Sequence, residues 1–134
     1  MIISTEELYQ HYLTCDGVST DTRKIEPNAL FFALKGPNFN ANALATEALE
    51  RGAAYAVIDD PAYESGKRTL RVEDALTALQ SLARHHRNQL KIPVFGLTGS
   101  NGKTTTKELL NAVLSQKFIT HATLGNLNNH IGVP

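Results

Sequence analysis

Apolar residues recur along the chain in two alternating rhythms, one helical and one extended. Ser4 followed by Glu7 forms a capping-box pattern, and Leu8, Tyr9, Tyr12 and Leu13 then repeat at helical spacing, which predicts a helix over about 5–13. The continuous apolar run 29–34, closed by Lys35-Gly36-Pro37, suits a strand buried on both faces with a turn or binding loop after it. From Asn42 onward, Leu44, Ala45, Ala48 and Leu49 share one helical face, and Gly52 stands where a helix end places its left-handed residue. Segments 54–58 and 69–72 read as strands. Ala75, Leu76, Leu79, Leu82 and Ala83 trace the buried stripe of a long helix that Pro93 bounds. Residues 94–98 predict a strand running into a Gly-rich turn, 103–115 a helix, and 118–122 the start of another strand. Strands alternating with helices predict an α/β architecture with a largely parallel sheet.

Composition narrows the class. With 42% hydrophobic and 19% charged residues the chain is too apolar for disorder, and no apolar run approaches the roughly 18 residues of a membrane span. Thirteen Lys+Arg balance thirteen Asp+Glu, so no global field draws the chain to nucleic acid or anionic lipid, and any phosphate must be held locally. Cys15 is alone, and residues 1–7 lack the basic flank and apolar core of a signal peptide, so a reducing cytoplasm is the expected compartment. A boundary is expected near 88–93, where the long helix ends in polar residues and a new unit begins. That divides the chain into 1–90 and 91–134, the second stretch being short for independent folding. His85-His86-Arg87 read as a cationic helix end and Tyr9 with Tyr12 as packing residues. Cys15 reads as an inert thiol.

The segment Gly99-Ser100-Asn101-Gly102-Lys103-Thr104 carries the most chemistry. Glycines let successive backbone N–H groups converge on phosphate oxygens, and the start of the following helix adds positive partial charge at the same point. Lys103 would set an ammonium on the β- and γ-phosphates, and the Thr104 hydroxyl would ligate Mg²⁺. The general phosphate-loop pattern would have its first glycine at Leu97; here glycines stand at 96 and 99.

That departure is itself informative, because 98–105, read Thr-Gly-Ser-Asn-Gly-Lys-Thr-Thr, resembles the phosphate loop of the Mur amide ligases of peptidoglycan synthesis, which lacks that first glycine. Ser19-Thr20-Asp21-Thr22-Arg23 is similar to the family's Asp-Ser-Arg loop for the uridine-diphosphate end of the substrate, with Thr22 in the serine position. Residues 30–36 are similar to the strand and turn after it, and 125–134, Gly-Asn-Leu-Asn-Asn-His-Ile-Gly-Val-Pro, to the segment typical of the members that add D-alanyl-D-alanine. The loop 39–44, Phe-Asn-Ala-Asn-Ala-Leu, departs from the Phe-Asp-Gly-His-Asp-Phe of many relatives.

The resemblance implies a UDP-substrate-binding domain of mixed sheet and helices over 1–90. It implies that 91–134 is the incomplete start of a central ATPase domain, a first strand, phosphate loop and helix. ATP and Mg²⁺ are the implied cofactors. Gly99, Ser100, Asn101, Gly102, Lys103, Thr104 and Thr105 are the implied phosphate contacts, Lys103 the catalytic group and Thr104 the metal ligand. Ser19, Asp21, Thr22, Arg23, Lys35, Gly36, Asn40, Asn126, Asn128 and Asn129 are the implied substrate contacts. The implied activity joins D-alanyl-D-alanine to UDP-N-acetylmuramoyl-tripeptide through an acyl phosphate, in a cytoplasmic, monomeric bacterial enzyme that neither binds nucleic acid nor inserts into a membrane. The chain alone is expected to be inactive, because the remaining metal ligands of the family lie beyond Pro134. A binding module without catalysis, or another amide ligase of the Mur or folylpolyglutamate type, stays open as a reading of the same residues.

Overall fold

A computed structural model describes residues 1–125, 127 and 129–133. The chain divides into two compact units, Met1–Gln89 and Leu90–Pro134.

In the first unit, helix α1 (Thr5–Tyr12) precedes strands β1 (Gly17–Ser19) and β2 (Ala29–Phe32), and a two-stranded ribbon of β3 (Lys35–Gly36) and β4 (Phe39–Asn40) follows. A 3-10 turn over Ala41–Leu44 leads into α2 (Ala45–Glu50), then β5 (Tyr55–Ile58), β6 (Thr69–Arg71) and α3 (Ala75–Gln89). The four longer strands form one parallel sheet in the order β1-β2-β5-β6, and β3 pairs antiparallel with β4 as a separate ribbon. Helices cover both faces of the sheet, which is why β2 is buried at every position.

Alternation along β2 sorts its side chains into two core layers. Leu30 and Phe32 pack with Leu8 of α1, Val57 of β5, and Ala75, Leu79 and Leu82 of α3. Phe31 faces the opposite layer with Ala45, Ala48 and Leu49 of α2 and Ala56 and Ile58 of β5. Beside the first layer, α1 packs against α3 through rings: Tyr9 stacks on Tyr12, and its hydroxyl lies 3.4 Å from His86 Nδ1. The tyrosines and histidines therefore join helices. Cys15 is half-buried, its thiol donates to the His11 carbonyl at 3.3 Å, and burial pushes it above the ordinary thiol range.

The capping box is formed. Ser4 N–H donates to Glu7 Oε2 at 2.9 Å and Glu7 N–H to Ser4 Oγ at 3.2 Å, satisfying two N-terminal donors that the helix itself leaves free. Ser4→Ala is expected to cost about 1 kcal/mol, lowering the thermal midpoint by roughly 4–8 °C in a domain of this size. Circular dichroism melting measures it, and an unchanged midpoint would remove the cap from the account of α1.

Strand β1 has no apolar run to announce it. Gly17-Val18-Ser19 is three residues long and becomes a strand by pairing Gly17 with Ala29, Val18 with Leu30 and Ser19 with Phe31 at the edge of the sheet. The helix expected from Asn42 begins instead as the 3-10 turn, because the Asn40 side chain caps it by accepting from Asn42 N–H at 3.0 Å. Gly52 takes the left-handed conformation expected of it, with φ of 111°.

In the second unit, α4 (Lys103–Leu114) forms where helical periodicity places it. The segments 94–98 and 118–122, read above as strands, are not strands. Strand structure requires a hydrogen-bonded neighbour, and among the described residues neither segment has one. Val94 at 58% exposure and Phe95 at 64% accordingly face solvent, and α4 buries no described residue. No helix among the described residues is long and apolar enough to cross a membrane.

Candidate functional site

In the first unit the candidate site lies beyond the carboxyl ends of β1 and β2, the side of a parallel sheet where ligands characteristically bind. The connection over 20–28 leaves that end through the 3-10 turn Thr22–Lys24 and returns to the opposite end of the sheet, where Asp16 N–H donates to the Asn28 carbonyl at 3.1 Å. It is shaped by its own polar side chains. Ser19 Oγ donates to the Asp21 carbonyl at 3.1 Å and accepts from Asp21 N–H at 3.3 Å. Asp21 then caps a 3-10 turn over Thr22–Lys24, its Oδ1 accepting from Arg23 N–H at 2.9 Å.

Arg23 returns on the same carboxylate, with Nε donating to Oδ1 at 2.9 Å and a terminal nitrogen to Oδ2 at 2.7 Å. These bonds to Arg23 hold the Asp21 carboxyl at about 2. Arg23 is 84% exposed, so the guanidinium that rests on Asp21 keeps its other face open to solvent. Thr20, Asp21, Thr22, Arg23, Phe31, Phe39, Ala41 and Leu44 line a cleft of about 580 Å³. Its mixture of aromatic wall, hydroxyls and one guanidinium suits a ligand with a flat apolar portion and an anionic one.

Lys35, Gly36 and Asn40, expected at the substrate, belong to the ribbon beside this cleft rather than to its lining. The Lys35 ammonium sits on Asp59 Oδ1 at 2.8 Å, and Asn40 Oδ1 accepts from both the backbone and the side chain of Asn42. Asp59 was not evident from the sequence. Its side chain is only 4% exposed, at the end of β5. Burial by itself raises the Asp59 carboxyl, but Lys35, the Asn42 amide and the Ala75 N–H together outweigh burial and hold it below its ordinary value of 3.8. Asp59 in turn raises the Lys35 ammonium.

A folded-state value below the unfolded one means that this contribution to stability is full above the ordinary carboxylate range and is lost as pH falls through the folded value. Acid unfolding followed by circular dichroism is therefore expected to steepen below pH 3.8 in the native sequence and to be shallower in Asp59→Asn. Equal slopes would show that Asp59 is not among the groups whose protonation unfolds the domain.

In the second unit the loop 99–102 meets α4. Gly99 has φ of 143° and Gly102 φ of 75°, backbone that L side chains rarely adopt, so the glycines are what allow the loop to curl. Gly102 is the N-cap of α4 and offers no side-chain cap, leaving the first N–H groups of the helix available to an anion. Lys103 stands in the first turn with Nζ donating to the Gly99 carbonyl, folded back over its own loop. Ser100, Asn101, Thr104 and Thr105 are exposed around it.

Among the described residues no three His, Cys, Asp or Glu are placed to hold a metal ion. The donor set here fits one Mg²⁺ bound through the Thr104 hydroxyl, with its other oxygens supplied by phosphate and water. Lys107, one turn further along α4, donates to the carbonyls of Thr123 and Gly125, the latter at 2.7 Å, and tethers the segment before the asparagine cluster. Within that cluster, Asn129 Oδ1 accepts from Ile131 N–H and Gly132 N–H, an internal turn bond. Asn126 and Asn128 lie outside the described residues.

A cleft at the strand ends of the first unit and a glycine loop opening a helix in the second are the two candidate sites. Comparison with known proteins gives the family. Residues 14–87 match the Mur ligase family, catalytic domain, and residues 97–134 the Mur ligase middle domain. The chain belongs to the Mur ligase family. Within it, the chain is similar to UDP-N-acetylmuramoyl-tripeptide--D-alanyl-D-alanine ligase of Bacillus subtilis, at 46% identity over 88% of this chain and 26% of that protein. The crystal structure of MurF from Acinetobacter baumannii superposes with a TM-score of 0.78 at 33% identity, over 97% of this chain and 31% of that one. MurF ligase from Thermotoga maritima, in complex with ADP, superposes with a TM-score of 0.75 at 32% identity, over 91% of this chain and 28% of that one. The chain spans about a quarter of the length of the curated relatives it matches.

Proposed function

We propose that this chain supplies the UDP-substrate cleft and the ATP phosphate loop of a ligase that joins D-alanyl-D-alanine to UDP-N-acetylmuramoyl-tripeptide in peptidoglycan precursor synthesis. The observation that carries the reading is the pairing of two anion sites built differently. One is the cleft, with the exposed Arg23 guanidinium in its lining. The other is the uncapped start of α4 with Lys103 over the Gly99–Gly102 turn. A relative, MurF ligase from Thermotoga maritima, is in complex with ADP, which supports a nucleotide-using reading.

ATP would supply the phosphoryl group that activates the tripeptide carboxylate as an acyl phosphate. The chain's part is to hold phosphates by loop amides and Lys103, to offer Thr104 to Mg²⁺, and to hold the uridine end against Phe39 and Thr20–Arg23. We propose that these residues by themselves bind without turning over.

Calorimetry on the chain tests this. UDP-N-acetylmuramoyl-tripeptide is expected to bind, Mg-ATP to bind weakly or not at all, and no phosphate to be released on adding D-alanyl-D-alanine. Turnover by the chain, or no heat with the UDP ligand, would overturn the division of labour proposed.

A further inference from the structure

A buried polar network in the first unit lies beside the cleft, outside its lining. Asp59 Oδ1 accepts from Lys35 Nζ and Asn42 Nδ2, each at 2.8 Å, and Oδ2 accepts from Ala75 N–H at 3.1 Å. Asn42 is fully buried and spends both ends of its amide: Nδ2 also donates to Asn40 Oδ1 at 2.7 Å, and Oδ1 accepts from Asp59 N–H at 3.0 Å. One carboxylate thereby ties together β3, the 3-10 turn after β4, the end of β5 and the first residue of α3. In the ribbon register Lys35 lies opposite Asn40, so the network grips both ribbon strands.

What the network holds is the cleft wall. Phe39 precedes Asn40 in β4, and Ala41 and Leu44 flank Asn42 in the turn; all three line the cleft, whereas Lys35, Asn42 and Asp59 do not. We infer that Asp59 is a positioning residue: through Lys35 and Asn42 it sets the Phe39–Leu44 wall and so the affinity for a nucleoside-diphosphate sugar, without touching it. This rests on the UDP-substrate reading above. The chemistry distinguishes it from a direct role for Lys35. Removing the carboxylate frees a cation beside an anion site, which would strengthen binding if Lys35 met the ligand and weakens it if Lys35 only braces the wall.

Calorimetry with UDP-N-acetylmuramoyl-tripeptide on the chain and its variants reads the difference. Asp59→Asn and Lys35→Met are each expected to weaken binding about tenfold, and the double variant no more than either alone, because both break one unit. Lys35→Arg, which keeps the charge on Asp59, is expected to restore most of the affinity. Unchanged or tighter binding by Asp59→Asn, or additive losses, would overturn the inference.

Amide hydrogen exchange without ligand provides a second reading. The Ala41 and Asn42 amides, bonded to Leu34 O and Asn40 Oδ1, are expected to lose protection in Asp59→Asn while Leu30–Phe32 keep theirs. Equal protection at Ala41 and Asn42 would also overturn it. If Asp59→Asn does not fold, Lys35→Met carries both measurements. If the native chain binds no UDP ligand, the functional reading fails, and the exchange comparison alone decides whether Asp59 holds the wall.

Discussion

Lys103→Ala, in a ligase of the relatives' full length carrying this chain, is expected to lower ATP-dependent ligation by at least about 10²–10³-fold, the cost of removing one preorganised donor from developing negative charge. Binding of the UDP-tripeptide should stay nearly intact. The reasoning starts from position. Lys103 is the first residue of α4, directly after a glycine N-cap, and its ammonium already lies over the loop at the Gly99 carbonyl. Phosphate oxygens brought to the uncapped N–H groups would sit within its reach, and phosphoryl transfer asks of the protein mainly position and charge neutralisation. The first unit, with its own core and cleft, does not depend on that side chain. Phosphate release measured beside calorimetry separates the two effects. Retained ligation would remove the role assigned to Lys103, and lost substrate binding would show that the variant had failed to fold.

The largest stability effect is expected at Phe32→Ala, about 3–5 kcal/mol for a fully buried aromatic side chain. Phe32 stands in the layer where α1 and α3 meet the sheet, against Leu8, Leu79 and Leu82. The layer is held by α1 and α3 together with β2, β5 and β6, which cannot all move inward to refill the space. Small domains are stable by only about 5–15 kcal/mol, so the variant is expected to lie near the edge of folding, with its urea midpoint lower by roughly 2 M. A change below about 1 kcal/mol would mean that the layer closes over the gap and that this face of β2 is less constrained than its burial implies.

The fold was legible where a periodic pattern coincided with a complete local device. Helix α1 carries its own capping box, α3 its own stripe, and β2 a run apolar enough to need covering on both sides. Reading stopped where an element depends on a distant partner. Gly17-Val18-Ser19 is a strand because Ala29–Phe31 lies beside it, whereas the apolar runs 94–98 and 118–122 have the composition of strands and no neighbour among the described residues. The candidate site divides the same way. The glycine loop and the Ser19–Arg23 segment are contiguous, so their chemistry could be read in order along the chain. Asp59 follows an apolar run like many strand-ending residues, and nothing local marks it, since its partners lie at positions 35, 42 and 75.

Residue order alone therefore predicted the α/β class, the helices and the buried strands β2, β5 and β6, all of which follow from neighbours a few positions apart. The folded molecule decided which carboxylate receives Lys35 and which rings and hydroxyls share a cleft. Those are matters of distance between side chains that the sheet and its crossovers bring together, and a buried charge takes its partner from whatever lies within hydrogen-bond reach once water has been excluded.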